Sequence, residues 1–207
     1  MSAGQAAADL SAWVRAARSG NQDAFRELYR EVQPGLLRYL RGLVGTADAE
    51  DVASEAWLQI ARDIRSFRDE GAGFRGWAAT VARHRAMDHL RRVQRRPVAT
   101  VSSDALADLP DPHDTEERAI RAESTNAAVG LIATLPRDQA EAVLLRVVMG
   151  LDVPATAKVM GKRPGAVRTA TWRGLRKLAE KIEETQAPAV AGSCVTPGDH
   201  SAPRKST

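Results

Sequence analysis

Arg168, Thr169, Trp172, Arg173, Arg176 and Lys177 alternate with Val167, Ala170, Leu175 and Leu178 near helical spacing. One side of such a helix carries guanidinium, hydroxyl, indole and ammonium groups, and the other is apolar. These groups suit the reading of duplex DNA. An arginine fork pairs with the two acceptors on the major-groove edge of guanine, while threonine and tryptophan lie against thymine methyls or the sugar backbone. No acidic residue occurs between Lys158 and Ala179. Just ahead, Leu151, Val153, Ala157 and Met160 predict a short helix ended by Gly161, and Pro164 presets the first turn of the next. Two helices across a short glycine-containing turn, the second basic, match the helix-turn-helix design. A solvated basic face on an ordinary core helix is the competing reading.

Catalytic groups are sparse. His84 and Asp88 share a helical face and His89 is adjacent, but two further ligands are missing and arginines would repel a cation, so no metal site is expected. Cys194 has no base beside it in sequence, which argues against a nucleophile. No cofactor and no enzymatic activity are expected. A single cysteine cannot form an internal disulfide, and there is neither a secretion signal nor an apolar run of the roughly 20 residues a membrane span needs. The cytoplasm is therefore the predicted compartment.

The formal charge of +4 is unevenly placed. From Arg75 to Arg96 seven arginines face only Asp88, whereas from Val98 to Ser124 seven acids face only Arg118 and Arg121. This basic–acidic–basic order suggests two nucleic-acid-facing modules joined by an acidic strap.

The elements that must position these residues are all helical. Leu10, Trp13, Val14 and Ala17 mark a helix stopped at Gly20, and Asn21 is a candidate N-cap for the next. That helix is expected to bury Phe25, Leu28, Tyr29, Val32, Leu36, Leu40 and Leu43. After a break at Gly45–Asp48, a third helix carries Val52, Ala56, Ile60 and Ile64 at four-residue spacing. An irregular Arg68–Gly73 loop precedes a fourth, ending before Pro97, with Trp77, Val81, Met87 and Leu90 among its apolar positions. A helix resumes near Thr115–Ala133, and Ala140, Val143, Leu144 and Val147 form a further core stripe. The predicted fold is all-α, with helical domains at 9–96 and 129–184, a flexible acidic linker at 97–128 and a disordered tail at 185–207.

AEDVASEAW (49–57), FRGWAATVARHRAMDHLRR (74–92), LPRDQAEAVLLRVVMGLD (135–152) and GKRPGAVRTATWRGLRKLA (161–179) occur in this order. Together they resemble the two conserved domains of extracytoplasmic-function (ECF) sigma factors, the smallest promoter-specificity subunits of bacterial RNA polymerase. The resemblance covers roughly Asp23 to Glu183. It implies a region 2-like bundle and a region 4-like helix-turn-helix, with core polymerase, promoter DNA and an anti-sigma factor as partners. It implies polymerase contacts at Asp48, Asp51 and Glu55 beside Trp57 and Leu58. It implies −10 binding and melting by Arg68, Arg75, Trp77, Arg83, His84, Arg91 and Arg92, and these suit it physically, because single strands are held by basic grooves with aromatic platforms. Core packing is the preferred reading for Trp77, ahead of base contact. It implies −35 recognition by Arg168, Thr169, Trp172 and Arg173, with Arg146, Lys162, Arg176 and Lys177 on phosphates. The acidic linker would thread the RNA-exit path, or serve as a plain tether.

The chain departs from the family pattern at four places. Ser54 replaces a glutamine, His84 an asparagine, Arg163 a small N-cap residue, and Pro154–Ala155–Thr156 a glutamate pair. A dimeric repressor reading paired half-sites, and a polymerase-binding regulator without promoter preference, are the rival functions; the first would have no use for the clamp-like and melting helices.

Overall fold

A computed structural model describes residues 3–68, 72–95 and 116–186. Among these the regular elements are helical: α1 (Ala3–Arg18), α2 (Gln22–Val44), α3 (Thr46–Asp63), a 3₁₀ turn (Ile64–Ser66), α4 (Ala72–Arg95), α5 (Glu116–Ala133), α6 (Arg137–Val143), a π-helical turn (Leu144–Val148), α7 (Val153–Met160) and α8 (Pro164–Gln186). The tail from 187, residues 97–115 of the linker and residues 69–71 of the predicted loop lie outside the described residues.

Local chemistry accounts for the boundaries. Asn21 caps α2, its Oδ1 accepting the Ala24 N–H at 3.0 Å. Pro34 lies inside α2, which continues through it with one backbone rung missing. The break predicted at Gly45–Asp48 is narrower than expected. Gly45 alone turns the chain at φ 89°, and Thr46 already begins α3.

In the N-terminal bundle α1–α4, the expected stripes meet. Leu10 and Val14 of α1, Leu28, Val32, Leu36 and Leu40 of α2, and Val52, Ala56, Ile60 and Ile64 with the α3 segment are buried. α4 presents Phe74 and four alanines, Ala78, Ala79, Ala82 and Ala86, whose small side chains bring its backbone close to α3 and α2. Tyr29 departs from expectation: it is exposed and its ring tilts over Trp57 at 4.9 Å.

The C-terminal module contains two further corrections. Val147 is 59 % exposed, although a regular helix would have buried it with Val143. The π turn inserts an extra residue, closing Met149 N–H on the Leu144 carbonyl at 3.0 Å, so Met149 points inward and Val147 outward. Leu175 is also exposed, and the packing position is taken by Gly174. A Cβ there would lie 2.8 Å from Val143 Cγ2, so α8 sits closer to α6 than a leucine face permits.

The helix expected near Thr115–Ala133 is α5, which packs on α2 and includes Glu116 to Ala128 of the span read as linker. The two modules pack against each other. α4 meets α7, α2 meets α5, α6 and the π turn, and one hydrophobic core runs through both.

Candidate nucleic-acid interface

The helix-turn-helix is built by caps at three points. Asp152 starts α7 by accepting the Ala155 N–H at 2.7 Å, and its carbonyl takes the Thr156 hydroxyl at 2.7 Å. Gly161 ends α7 in the left-handed region (φ 63°, ψ 34°), a conformation that costs any Cβ-bearing residue energy. Lys162 N–H closes the turn on the Ala157 carbonyl at 2.9 Å, and Pro164 opens α8 as expected.

With Val167 and Leu178 buried, α8 presents Arg168, Thr169, Trp172, Arg173, Arg176 and Lys177 to solvent. Trp172 is 60 % exposed, which excludes it from the core. Arg176 stacks over its ring at 5.4 Å and pairs with Glu180 at 2.9 Å. The Thr169 hydroxyl bonds back to the Gly165 carbonyl at 3.1 Å, so its polar group is already engaged on its own helix. The two upstream candidates are tied down. Arg146 donates to the Leu151 carbonyl, bracing the entry to α7, and Lys162 pairs with Asp138 at 2.5 Å.

On the other module, Arg68, His84, Arg91 and Arg92 are exposed. Arg91 pairs with Asp88 at 2.9 Å and Arg92 with Glu55 at 3.1 Å, while Arg75 pairs with Glu31. Trp77 is half-buried, stacked against Phe67 at 4.8 Å and Phe74 at 5.7 Å. Its exposed edge lines a cleft of about 970 Å³ with Arg68, Arg75, Asp152, Ala155 and Lys158.

Along α3, Asp51, Glu55 and Leu58 fall on one face, and Leu58 is 59 % exposed, an apolar residue free to meet a partner. Asp48 lies 3.1 Å from His89. Trp57 is different: it is 7 % exposed, its indole N–H donates to Gln33 at 2.6 Å, and it forms the floor behind that face. Among the described residues, no three His, Cys, Asp or Glu side chains gather as metal ligands, and no helix is long and apolar enough to cross a membrane.

Two residues not singled out by sequence reasoning matter most to Arg83. Glu141 is 1 % exposed on α6 and accepts from Arg83 Nε at 2.5 Å and from the buried Tyr39 hydroxyl at 3.2 Å. Burial, reinforced by the neighbouring carboxylate, raises the Tyr39 phenol well above its ordinary range, so it is a protonated donor. Burial opposes the charge on Arg83, but the hydrogen bond and charge of Glu141 outweigh it and raise its pKa. In sequence, Glu141 resembles any surface glutamate, because both partners come from the other module.

Comparisons with known proteins fit this geometry. Residues 28–96 match sigma-70 region 2, and residues 126–178 match sigma-70 region 4. The ECF RNA polymerase sigma factor ShbA of Streptomyces griseus is 34 % identical over 183 residues, covering 84 % of this chain and 96 % of that protein. The chain belongs to the ECF sigma factors. BldN of Streptomyces coelicolor, another ECF sigma factor, is also 34 % identical over 173 residues, 83 % of this chain; the match spans 65 % of BldN, just under two thirds of its length. The fold resembles that of the sigma factor RpoE of Bartonella quintana, solved with the anti-sigma factor NepR, with TM-score 0.61 and 20 % identity over 77 % of this chain and 96 % of that one. In this sigma factor, region 2 thus comprises most of α2 with α3 and α4, and region 4 the C-terminal end of α5 with α6, α7 and the greater part of α8.

Proposed function

We propose that this sigma factor directs core RNA polymerase to promoters by reading a −35 element with α8 and opening a −10 element with the Arg68–Arg92 surface. The observation that carries the reading is the row Arg168, Thr169, Trp172 and Arg173. It is solvent-facing on a helix seated by the Asp152 cap, the Gly161 turn and the Gly174 contact. In this reading Arg168 and Arg173 select bases, Trp172 packs against methyls or sugars, and Arg176 and Lys177 hold phosphates. Arg146 and Lys162 act first as braces of the motif. On region 2, Arg75, Arg83, Arg91 and Arg92 supply charge and Trp77 an aromatic platform for an unstacked strand, with Arg68 and His84 at its margin. Extruding a base costs a few kcal/mol, supplied by binding and not by nucleotide hydrolysis. Asp51, Glu55 and Leu58 form the polymerase-facing patch, with Asp48 at its edge and Trp57 supporting it from behind.

The factor has no enzymatic activity of its own in this reading and works in the cytoplasm. RpoE of Bartonella quintana has been solved with an anti-sigma factor; a regulator of that class is proposed for this chain too. Run-off transcription on fragmented genomic DNA, with purified core polymerase with and without the factor, tests the proposal. Discrete new transcripts sharing two spaced upstream elements support it. Absence of transcripts together with binding of the free protein to paired duplex half-sites would replace it with the repressor reading.

A further inference from the structure

The seam between α6 and α8, which aims the basic row, leaves a polar group unmet. Gln139 lies in the first turn of α6, between Asp138, which holds Lys162, and the buried Ala140. Its carbonyl stands 3.3 Å from where a Cβ on Gly174 would be, so this turn is pressed against the middle of α8. The side-chain Oε1 is shut off from solvent, and among the described residues no donor reaches it. An amide oxygen in that state has given up its water and gained no bond, so it destabilises the free fold. Methionine or leucine would fill the same place without that penalty. A glutamine here is explained by a donor that arrives only in a complex.

The donors within reach share a hollow with it. About 410 Å³ in volume, the hollow is walled by Gln139 from α6 and by Trp172, Arg173, Arg176, Lys177 and Glu180 from α8. Arg176 is engaged twice, with Glu180 at 2.9 Å and over the Trp172 ring. Among the described residues no ion pair or ring contact holds Arg173 or Lys177. Arg173 is the better match of the two. It adjoins Gly174, the residue pressed by the Gln139 turn, whereas Lys177 lies a helical turn further on. A guanidinium also carries its N–H groups in a rigid fork. A pair of them satisfies the two acceptors on a guanine edge, and others remain for a second acceptor. An ammonium on a flexible stem allows no such division.

We propose that Gln139 is a positioning residue for Arg173: its Oε1 accepts from the Arg173 guanidinium when α8 enters a major groove, and so fixes the fork in the plane of a guanine edge. The proposal rests on the −35 reading of α8 given above and deepens it. Gln139 itself touches no base. A long, exposed side chain is ordered at the moment of contact, and an acceptor carried by a packed helix favours one of its orientations. Held in that plane, the fork meets a wrong base with its donors unpaired, which widens discrimination. The unmet oxygen of the free chain finds its bond at the same moment.

The test uses the full chain with core polymerase, on a promoter recovered from the run-off transcription and on versions with each −35 base pair replaced in turn. Gln139→Met removes the acceptor at similar volume, and Gln139→Glu keeps one. In the unaltered factor, replacing the pair read by Arg173 should lower transcription about 5- to 150-fold. Gln139→Met should shrink that factor severalfold at this position alone, and Gln139→Glu should retain it. In an Arg173→Ala background, Gln139→Met should have no further effect. In urea, Gln139→Met should raise the unfolding midpoint of the free factor, because the unmet acceptor is gone. A lowered midpoint overturns the proposal, as does undiminished discrimination, an equal loss in Gln139→Glu, or an effect that persists without Arg173. If discrete promoters are used but no −35 position responds to Arg173→Ala, the positioning role falls and the sigma-factor function stands. Without promoter-specific transcripts the −35 reading itself fails, and the proposal with it.

Discussion

Two glycines of α8 make opposite predictions for the same substitution. Gly165 lies in the first turn, and a Cβ there meets nothing within 4 Å. Gly174 lies against α6, where a Cβ meets Val143 Cγ2 at 2.8 Å, the Gln139 carbonyl at 3.3 Å and Leu135 Cδ1 at 3.4 Å. Gly165→Ala relieves only backbone entropy and should stabilise by about 0.5–1 kcal/mol. Gly174→Ala gains about 1 kcal/mol in helix propensity, against an overpacking cost of roughly 1–3 kcal/mol. The clash falls near the top of that range because its nearest neighbour is a β-branched, buried valine and the next is backbone, neither able to swing away. A net loss of about 2 kcal/mol is expected, and a gap of about 3 kcal/mol between the variants, or roughly 6–12 °C in Tm. Urea denaturation of both variants measures it, with binding of a promoter duplex as a second readout. If both glycine substitutions stabilise equally, α8 does not sit on α6 as described and the aim of its basic row is wrong.

Arg173→Ala should lower promoter-specific transcription by the roughly 1–3 kcal/mol of a lost base pairing, leaving stability and core-polymerase capture unchanged; loss of all three together would indicate misfolding. Leu58→Asp and Asp51→Asn should reduce capture of core polymerase in a pull-down before they touch helix content, since both side chains are exposed. Gly161→Ala forces a Cβ into φ 63° and should cost about 1–2 kcal/mol in denaturant unfolding. The Tyr39 phenol is raised in the folded protein, so its contribution to stability is complete below the ordinary tyrosine value of about 10 and is lost as pH climbs beyond it. Unfolding free energies from pH 8 to pH 11 should fall less steeply in Tyr39→Phe; an unchanged slope would refute the buried-donor role.

What was legible in the sequence was local. Asn21, Gly161 and Pro164 mark helix ends by their own backbone chemistry, and Trp172 is exposed on the polar side of α8 where helical spacing puts it. Val147, Leu175 and Tyr29 were misplaced because each obeys a helical stripe that a neighbour overrides. A π turn rotates Val147 out, Gly174 takes the contact that spacing assigns to Leu175, and Trp57 supplies a ring for Tyr29 to cover. The polar contact at the heart of the fold left no trace. Glu141 is separated from Arg83 by 58 positions and from Tyr39 by 102, and no periodicity of either segment requires them to meet.

The composition of that contact also sets how firmly the two regions can hold each other. A buried ion pair roughly breaks even against the water it leaves, so Arg83 and Glu141 contribute register more than net energy. Removing one partner is a different matter. Arg83→Ala would leave the carboxylate with the Tyr39 hydroxyl alone, and in a fixed core that costs roughly 3–5 kcal/mol. The loss is read as a lowered unfolding free energy of Arg83→Ala in urea.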